Sequence, residues 1–216
     1  MLKVNIFQKL SNFDLQICFE AENQVLVLFG PSGCGKTTTL KLLSGLRKLH
    51  KGSIVFKETA FADTDKGIFI SPQKRKFSMM FQDYALFPHL SVYNNILYGS
   101  KKSMVDHLRA QELMSKFNIT QLKDSFPLLI SGGERQRVAL ARALMTEPNA
   151  ILLDEPLSAL DSETRVRLGE EIRNFQESFN ILFILVTHDK EEANRIGDRI
   201  IYLNSGRITN DVVAQH

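Results

Sequence analysis

Gly30-Pro31-Ser32-Gly33-Cys34-Gly35-Lys36-Thr37-Thr38 decides the fold, because it matches Gly-x-x-x-x-Gly-Lys-[Ser/Thr] with a strand before it and a helix after it. Val25-Leu-Val-Leu-Phe29 reads as the buried strand, and Thr37-Thr-Thr-Leu-Lys-Leu-Leu-Ser44 as the helix, which Gly45 stops. Gly30, Gly33 and Gly35 let the backbone wrap a phosphate with its N–H groups turned inward, and the positive end of the helix dipole adds to the attraction. All nine residues are therefore candidate nucleotide contacts, with Lys36 reaching the β- and γ-phosphates and the Thr37 hydroxyl completing the coordination of Mg²⁺. Cys34 supplies only its backbone N–H.

Further along, Ala150-Ile-Leu-Leu-Asp154-Glu155 is an apolar strand that ends in two carboxylates. Laid parallel to the first strand, it delivers both beside the phosphates. Successive side chains at a strand end point different ways, so Asp154 suits Mg²⁺ while Glu155 faces a water placed to attack the γ-phosphate. Such a pair is also common at a solvated strand terminus, and it is the phosphate loop that gives it chemical meaning.

A second glycine loop, Ile130-Ser131-Gly132-Gly133-Glu134-Arg-Gln-Arg137, precedes the helical run Val138-Ala-Leu-Ala-Arg-Ala-Leu144. Ser131 and Glu134 form a Ser-x-x-Glu capping box that any helix can use. The two glycines do more, exposing backbone N–H groups at a positive helix end beside the serine hydroxyl, which makes a second anion site.

Between these motifs, short apolar stretches alternate with turn residues over 4–29 and 53–81, which predicts antiparallel strands around the phosphate loop. From about 91 to 145 the pattern becomes helical, with Ser103 as a cap and Val105, Leu108, Leu113 and Phe117 as one buried face. The expected organisation is a single α/β domain over 1–216. Its nucleotide-binding core and antiparallel β-subdomain fall in 1–90 and 146–216, and an inserted helical subdomain in 91–145. After Leu153, a helix carrying Leu168, Ile172, Phe175 and Phe179 leads to the strand Ile181-Leu-Phe-Ile-Leu-Val186, and strand–helix–strand implies a parallel core sheet.

With 216 residues the chain can bury one sizeable core. Its net charge of +3 is too small and too scattered to argue for nucleic acid. Cys18 and Cys34 are the only cysteines, one of them inside the phosphate loop, which fits a reducing compartment better than a disulfide. The apolar run at 181–186 is far short of the ~20 residues that cross a bilayer, and the amino terminus has no signal-peptide pattern, so any membrane role is expected to be peripheral.

In this order the motifs resemble the ATP-binding subunits of ABC transporters, over nearly the whole chain. The likeness rests on residues 30–38, Phe81-Gln82-Asp83, Ser131-Gly-Gly-Glu-Arg-Gln-Arg137, Asp154-Glu155, Ser158-Ala-Leu-Asp161 and Thr187-His188-Asp189. It implies a P-loop ABC cassette that works as a head-to-tail homodimer, in which ATP on the loop of one subunit is closed over by Ser131, Gly132 and Gly133 of the other. It further implies Gln82 as a ligand of Mg²⁺ or of the attacking water and as a sensor of the membrane partner, with His188 contacting the γ-phosphate. Glu155, His188 and Gln82 are then the catalytic candidates, and Thr37, Gln82 and Asp154 the metal candidates. Asp161 bridges the subunits or caps the helix that starts near Ser162; both roles are physical.

The chain departs from the family pattern at Ile130 and Glu134, where Leu and Gln are usual, and near the first strand turn. There Leu10-Ser11 stands where an aromatic residue stacks on adenine, leaving Phe13 or Phe7 as substitutes. Residues 81–95 follow the form of importer cassettes, with Tyr84, Leu86, Phe87 and Leu90 offering apolar surface to a permease at 82–93, which in turn meets a solute-binding protein. An exporter cassette and a soluble ABC ATPase are the alternatives. Asp65-Lys-Gly-Ile-Phe-Ile-Ser-Pro-Gln-Lys-Arg75, Phe87-Pro-His89 and Lys102-Ser-Met-Val-Asp106 are most similar to molybdate importer ATPases. Those often add a carboxy-terminal regulatory domain. Here the last strand is expected at 199–203, so regulation by that route is expected to be missing, and the subunit is expected at the cytoplasmic face of the membrane.

Overall fold

The computed structural model describes residues 1–158 and 160–214; Ala159 of the Ser158–Asp161 motif lies outside them. Among the described residues eleven strands form one sheet, and its middle explains the rest of the architecture. β3 (Val25–Phe29), β7 (Phe77–Met80), β8 (Ala150–Asp154), β9 (Leu182–Thr187) and β10 (Arg199–Asn204) run parallel in the order β10-β3-β9-β8-β7. Their near-continuous apolar sequences suit strands covered on both faces. Val25, Val27, Ile151, Leu153, Phe183 and Leu185 enter one hydrophobic cluster, while Leu26, Leu28, Leu152, Ile184 and Val186 enter another on the opposite face.

β1 (Leu2–Lys9), β2 (Asp14–Ala21), β4 (Lys51–Phe56), β5 (Thr59–Asp63) and β6 (Ile68–Phe69) form the antiparallel flank, and β11 (Arg207–Val213) joins β10 to β2. The antiparallel expectation therefore holds for five of these strands and fails for β3 and β7, which belong to the parallel core. Both are followed by chain that returns on a sheet face, and that forces a parallel crossover. The last described strand is β11, beyond the strand expected at 199–203, because Ser205 and Gly206, at φ 44° and 79°, make a turn back along β10.

On one face lies α1 (Lys36–Ser44), ended by Gly45 in the left-handed region as expected. On the other lie α3 (Val92–Ile96), α4 (Met104–Lys116) and α5 (Gly132–Met145), followed by α6 (Ser162–Phe179) and α7 (Lys190–Ile196); α2 (Pro72–Arg75) is a single turn before β7. Ser103 caps α4 through a capping box with Asp106. The buried face of α4 is not the expected one: Ala110, Leu113, Met114 and Phe117 are buried, whereas Val105 and Leu108 are 72% and 60% exposed. Val105 and Leu108 stay uncovered, whereas His107 between them stacks on Tyr93, its ring nitrogen 2.7 Å from the Tyr93 hydroxyl. Leu168 and Ile172 of α6 are buried as expected, with Phe175 and Phe179 packed against the same cluster.

Candidate functional site

Register alone brings the motifs together. Phe29 lies opposite Thr187, and Val186 opposite Asp154, so β3, β9 and β8 end at one level. The residues that follow, Gly30, His188 and Glu155, emerge side by side at the carboxyl edge of a parallel sheet, where such folds bind ligands. Gly30 N–H donates to the Thr187 carbonyl at 3.4 Å and Glu155 N–H to the Val186 carbonyl at 3.0 Å, fixing two of these exits.

The loop after β3 has its shape for steric reasons. A Cβ on Gly30 would collide with the Leu203 carbonyl oxygen, and Gly35 sits at φ 111° with Leu15 close behind it. Lys36 is buried and its Nζ donates to the carbonyls of Gly30 and Pro31 at 2.7 and 2.9 Å, so the ammonium lies across the loop. Pro31, Ser32 and Gly33 are exposed, while Cys34 is buried and its thiol is free. An open cleft of about 550 Å³ runs from Lys36, Thr37 and Thr38 to Ser11 and Phe13, with Glu155 on its wall. Phe13 lines this cleft. Phe7 does not, since it packs beside His50 on the antiparallel flank.

Thr37 Oγ1 donates to Asp154 Oδ1 at 2.9 Å. A hydroxyl and a carboxylate placed this way are hard oxygen donors of the kind Mg²⁺ takes with nucleotide phosphates, and they fit the ion. Burial pushes the Asp154 carboxyl above its usual range, against the hydrogen bond from Thr37, and the neighbouring Glu155 charge adds to the rise. Gln82 is exposed, at the end of β7, and donates to Ser158 Oγ at 3.2 Å. Glu155 takes a left-handed backbone, φ 47°, and its Oε1 lies 3.2 Å from His188 Nδ1. A non-glycine residue held there at a strand end is the kind of local strain that collects at functional sites.

Ser131, Gly132 and Gly133 line a separate depression of about 610 Å³ with Leu160, Asp161 and Arg167. The Ser131 side chain accepts from Glu134 N, and the Glu134 carboxylate accepts from Ser131 N at 2.8 Å, so the capping box is formed. Asp161 caps α6 by accepting from Thr164 N at 2.9 Å. Of the expected docking residues, Phe87 and Leu90 are half-exposed, whereas Tyr84 is buried and its hydroxyl donates to the Pro156 carbonyl, because the loop turns it inward at φ 60°.

Sequence reasoning missed the support behind His188. Thr187, Asp189 and Glu192 are hydrogen-bonded to one another and, through Arg165, to α6. The Asp189-x-x-Glu192 spacing next to a strand end was the available signal.

A strand, a glycine loop, a helix and a neighbouring parallel strand ending in carboxylates define a P-loop nucleotide-binding protein, with a mixed sheet and helices on both faces. The ABC transporter family model matches residues 11–158, more than half of the chain. The chain belongs to that family. The trehalose/maltose import ATP-binding protein MalK of Thermococcus litoralis is 43% identical over 189 residues, 86% of this chain and 51% of the relative. The spermidine/putrescine import ATP-binding protein PotA of Bacillus cereus is 41% identical over 191 residues, 87% of this chain and 57% of the relative. The chain thus spans about half the length of the curated relatives it matches. Among solved structures, cbiO1 from Clostridium perfringens, part of the transporter complex cbiONQ, superposes with a TM-score of 0.87 at 26% identity, over 99% of this chain and 88% of that one. The cassette MJ0796, in a dimer bound to ADP and Pi, matches all of both chains with a TM-score of 0.79 at 27% identity. Among the described residues no helix is long and apolar enough to cross a membrane.

Proposed function

We propose that this chain binds and hydrolyses ATP as the nucleotide-binding subunit of an ABC importer. The observation that carries the reading is the convergence of the three strand ends, with the phosphate loop, the Thr37–Asp154 pair and the Glu155–His188 pair at one edge of the sheet. Lys36 and the loop N–H groups hold the β- and γ-phosphates. Glu155 polarises or positions the attacking water, and His188 at its side meets the γ-phosphate and orients the carboxylate. Thr37, Asp154 and Gln82 would hold Mg²⁺, which would supply positive charge beside the phosphates. Phe13 is the residue of the cleft wall that stacks on adenine.

The serine–glycine loop at 131–133 lies in a depression that shares no lining residue with the ATP cleft. That separation supports a head-to-tail homodimer in which each loop closes the partner's site. In this arrangement 1–90 and 146–216 act as the nucleotide-binding core and 91–145 as the helical arm. The subunit then sits peripherally on the cytoplasmic side, with its permease at 82–93. Support for that dock is a groove of about 330 Å³ beside Gln82, lined by Phe81, Ala85, Phe87, Tyr98 and Arg142, in which the Phe87 and Tyr98 rings lie 4.1 Å apart.

An oxyanion such as molybdate is the solute that the segments at 65–75, 87–89 and 102–106 favour, whereas the relatives above are named for a disaccharide and for polyamines. ATP-driven uptake into vesicles carrying the cognate permease and binding protein tests both halves. Stimulation by molybdate supports the full reading. Stimulation by maltose or spermidine alone removes the oxyanion and keeps the importer, and ATP-driven export removes the importer. Phe87→Ala is expected to uncouple uptake while leaving the hydrolysis of the isolated subunit intact, since a buried aromatic anchor carries about 2 kcal/mol or more of an interface.

A further inference from the structure

His188 is the only member of the candidate site whose side chain is exposed yet held against another reacting group, and what keeps it there lies behind it. Thr187 Oγ1 donates to Glu192 Oε2 at 2.9 Å and accepts from Asp189 N at 3.0 Å. Asp189 Oδ1 accepts from the N–H groups of Glu191 and Glu192, so the turn 187–189 is tied at both ends to the first turn of α7. The same Thr187 receives Gly30 N–H on its carbonyl, which links the turn to the start of the phosphate loop. On its far side, Asp189 Oδ2 pairs with Arg165 Nη1 at 3.0 Å, and Arg165 Nη2 donates to the Leu160 carbonyl at 3.0 Å, one residue before Asp161.

Glu192 is 3% exposed and its Oε1 has no hydrogen-bond partner among the described residues. A buried carboxylate with one oxygen unmatched is costly. Its place within two hydrogen bonds of both the phosphate loop and the His188 turn points to a task in the site.

We propose that Glu192 is a positioning residue for the His188–Glu155 pair, acting through Thr187, and that Arg165 extends the same hold to the loop carrying Asp161. This rests on the hydrolytic reading of the cleft above. The consequence is that the γ-phosphate contact at His188 and the intersubunit contact at Asp161 are set by one network rather than two. Burial pushes the Glu192 carboxyl up to about 7, opposed by the Thr187 hydrogen bond. Asp189 raises it further, while Arg165 of α6 and His188 lower it. β3 and β9, the other elements packed on α7, bring no titratable side chain.

The test is steady-state ATPase activity of the full chain from about pH 5.5 to 8.5, in wild type and four variants. A misplaced reacting group commonly costs about 10- to 100-fold, so Glu192→Ala is expected to lower kcat by that factor with KM for ATP within about threefold of wild type. Glu192→Gln keeps an acceptor for Thr187 and is expected to recover most of that loss, while its kcat profile lacks the inflection near neutrality that wild type shows. Thr187→Val is expected to reproduce the Ala defect, and Thr187→Val/Glu192→Ala to be no worse than either single variant, because both break one path. Wild-type kcat in Glu192→Ala, superimposable pH profiles for Glu192→Gln and wild type, or multiplied losses in the double variant would overturn the proposal. If Glu192→Ala does not fold, the Gln profile and Thr187→Val decide. The hydrolytic reading itself is tested separately by Lys36→Ala, which lies outside this network.

Discussion

At residue 155 the backbone and the proposed chemistry make opposing demands. Glu155 leaves β8 in a left-handed conformation that glycine or asparagine would adopt more cheaply, whereas in the role proposed above it is the carboxylate charge that polarises a water against the γ-phosphate. Glu155→Gln keeps the shape and the hydrogen-bonding reach to His188 and removes the charge. Nucleotide binding is expected to persist in this variant while turnover falls on the order of 10²–10³-fold; turnover close to wild type, measured by phosphate release, would remove Glu155 from its role. Stability offers a second check at the same scale, through Glu192. Its native carboxyl holds a proton up to about pH 7, whereas an unfolded one releases it near the ordinary 4.5. The native state therefore binds more protons than the unfolded state between these values, and stability is lost as pH rises through that window, by an amount of order 3 kcal/mol at most. Glu192→Gln has no such titration. Its stability relative to wild type, from denaturant midpoints, should rise from pH 5 to 8, and a constant difference would contradict the shift.

Elements were more legible than residues, and unevenly so. β3, β8, β9, α1 and α5 could be read because each has an unbroken apolar run or a capping signal beside a glycine loop, and those local cues match their final surroundings. β7 could not: Phe77-Ser-Met-Met80 looks like one more strand of the antiparallel flank, and only its pairing with β8 makes it part of the core. Periodicity also misjudged the first turn of α4, because Val105 and Leu108 have helical spacing but no neighbour to cover them. The pairing of Glu155 with His188 was out of reach for the same reason, since 33 residues and a crossover separate two side chains that meet only through strand register. Arg75 shows what such long-range packing contributes. This guanidinium is 1% exposed and donates to the Leu42 and Leu43 carbonyls at the end of α1, and also to those of Ile70 and Phe61, with no carboxylate paired to it among the described residues. Burial lowers it to about 10, so it stays charged at neutral pH and caps the negative end of the phosphate-loop helix. Arg75→Met fills similar space but removes the donor to four carbonyls, of which those of Leu42 and Phe61 keep the N–H groups of Gly45 and Ile70. A loss of about 3 kcal/mol or more is expected, read as a lower denaturant midpoint, and an unchanged midpoint would show that water satisfies those carbonyls.

For the whole molecule, the two glycine loops of one chain lie in different depressions, one lined by Lys36 and Glu155 and the other by Ser131 and Asp161. In the head-to-tail dimer proposed above, each copy would contribute half of each composite site and place the N–H groups of 132–133 over the γ-phosphate held by the other copy. The geometry is testable by complementation. Lys36→Ala removes the phosphate cation, and Ser131→Arg fills the second loop with a bulky side chain; each variant alone, as a homodimer, has both sites damaged and should be nearly inactive. Mixed, they form heterodimers in which one site combines both lesions and the other combines a normal Lys36 loop with a normal Ser131 loop. At equal proportions half of all dimers are mixed and each has one sound site, so activity should recover to about a quarter of wild type if the sites act independently, and to less if the two must fire together. Dilution below the dimer dissociation constant should abolish the recovered activity. Full activity of either variant alone, or hydrolysis per chain that does not change with dilution, would mean that each chain completes its own site and that the shared-site arrangement is wrong.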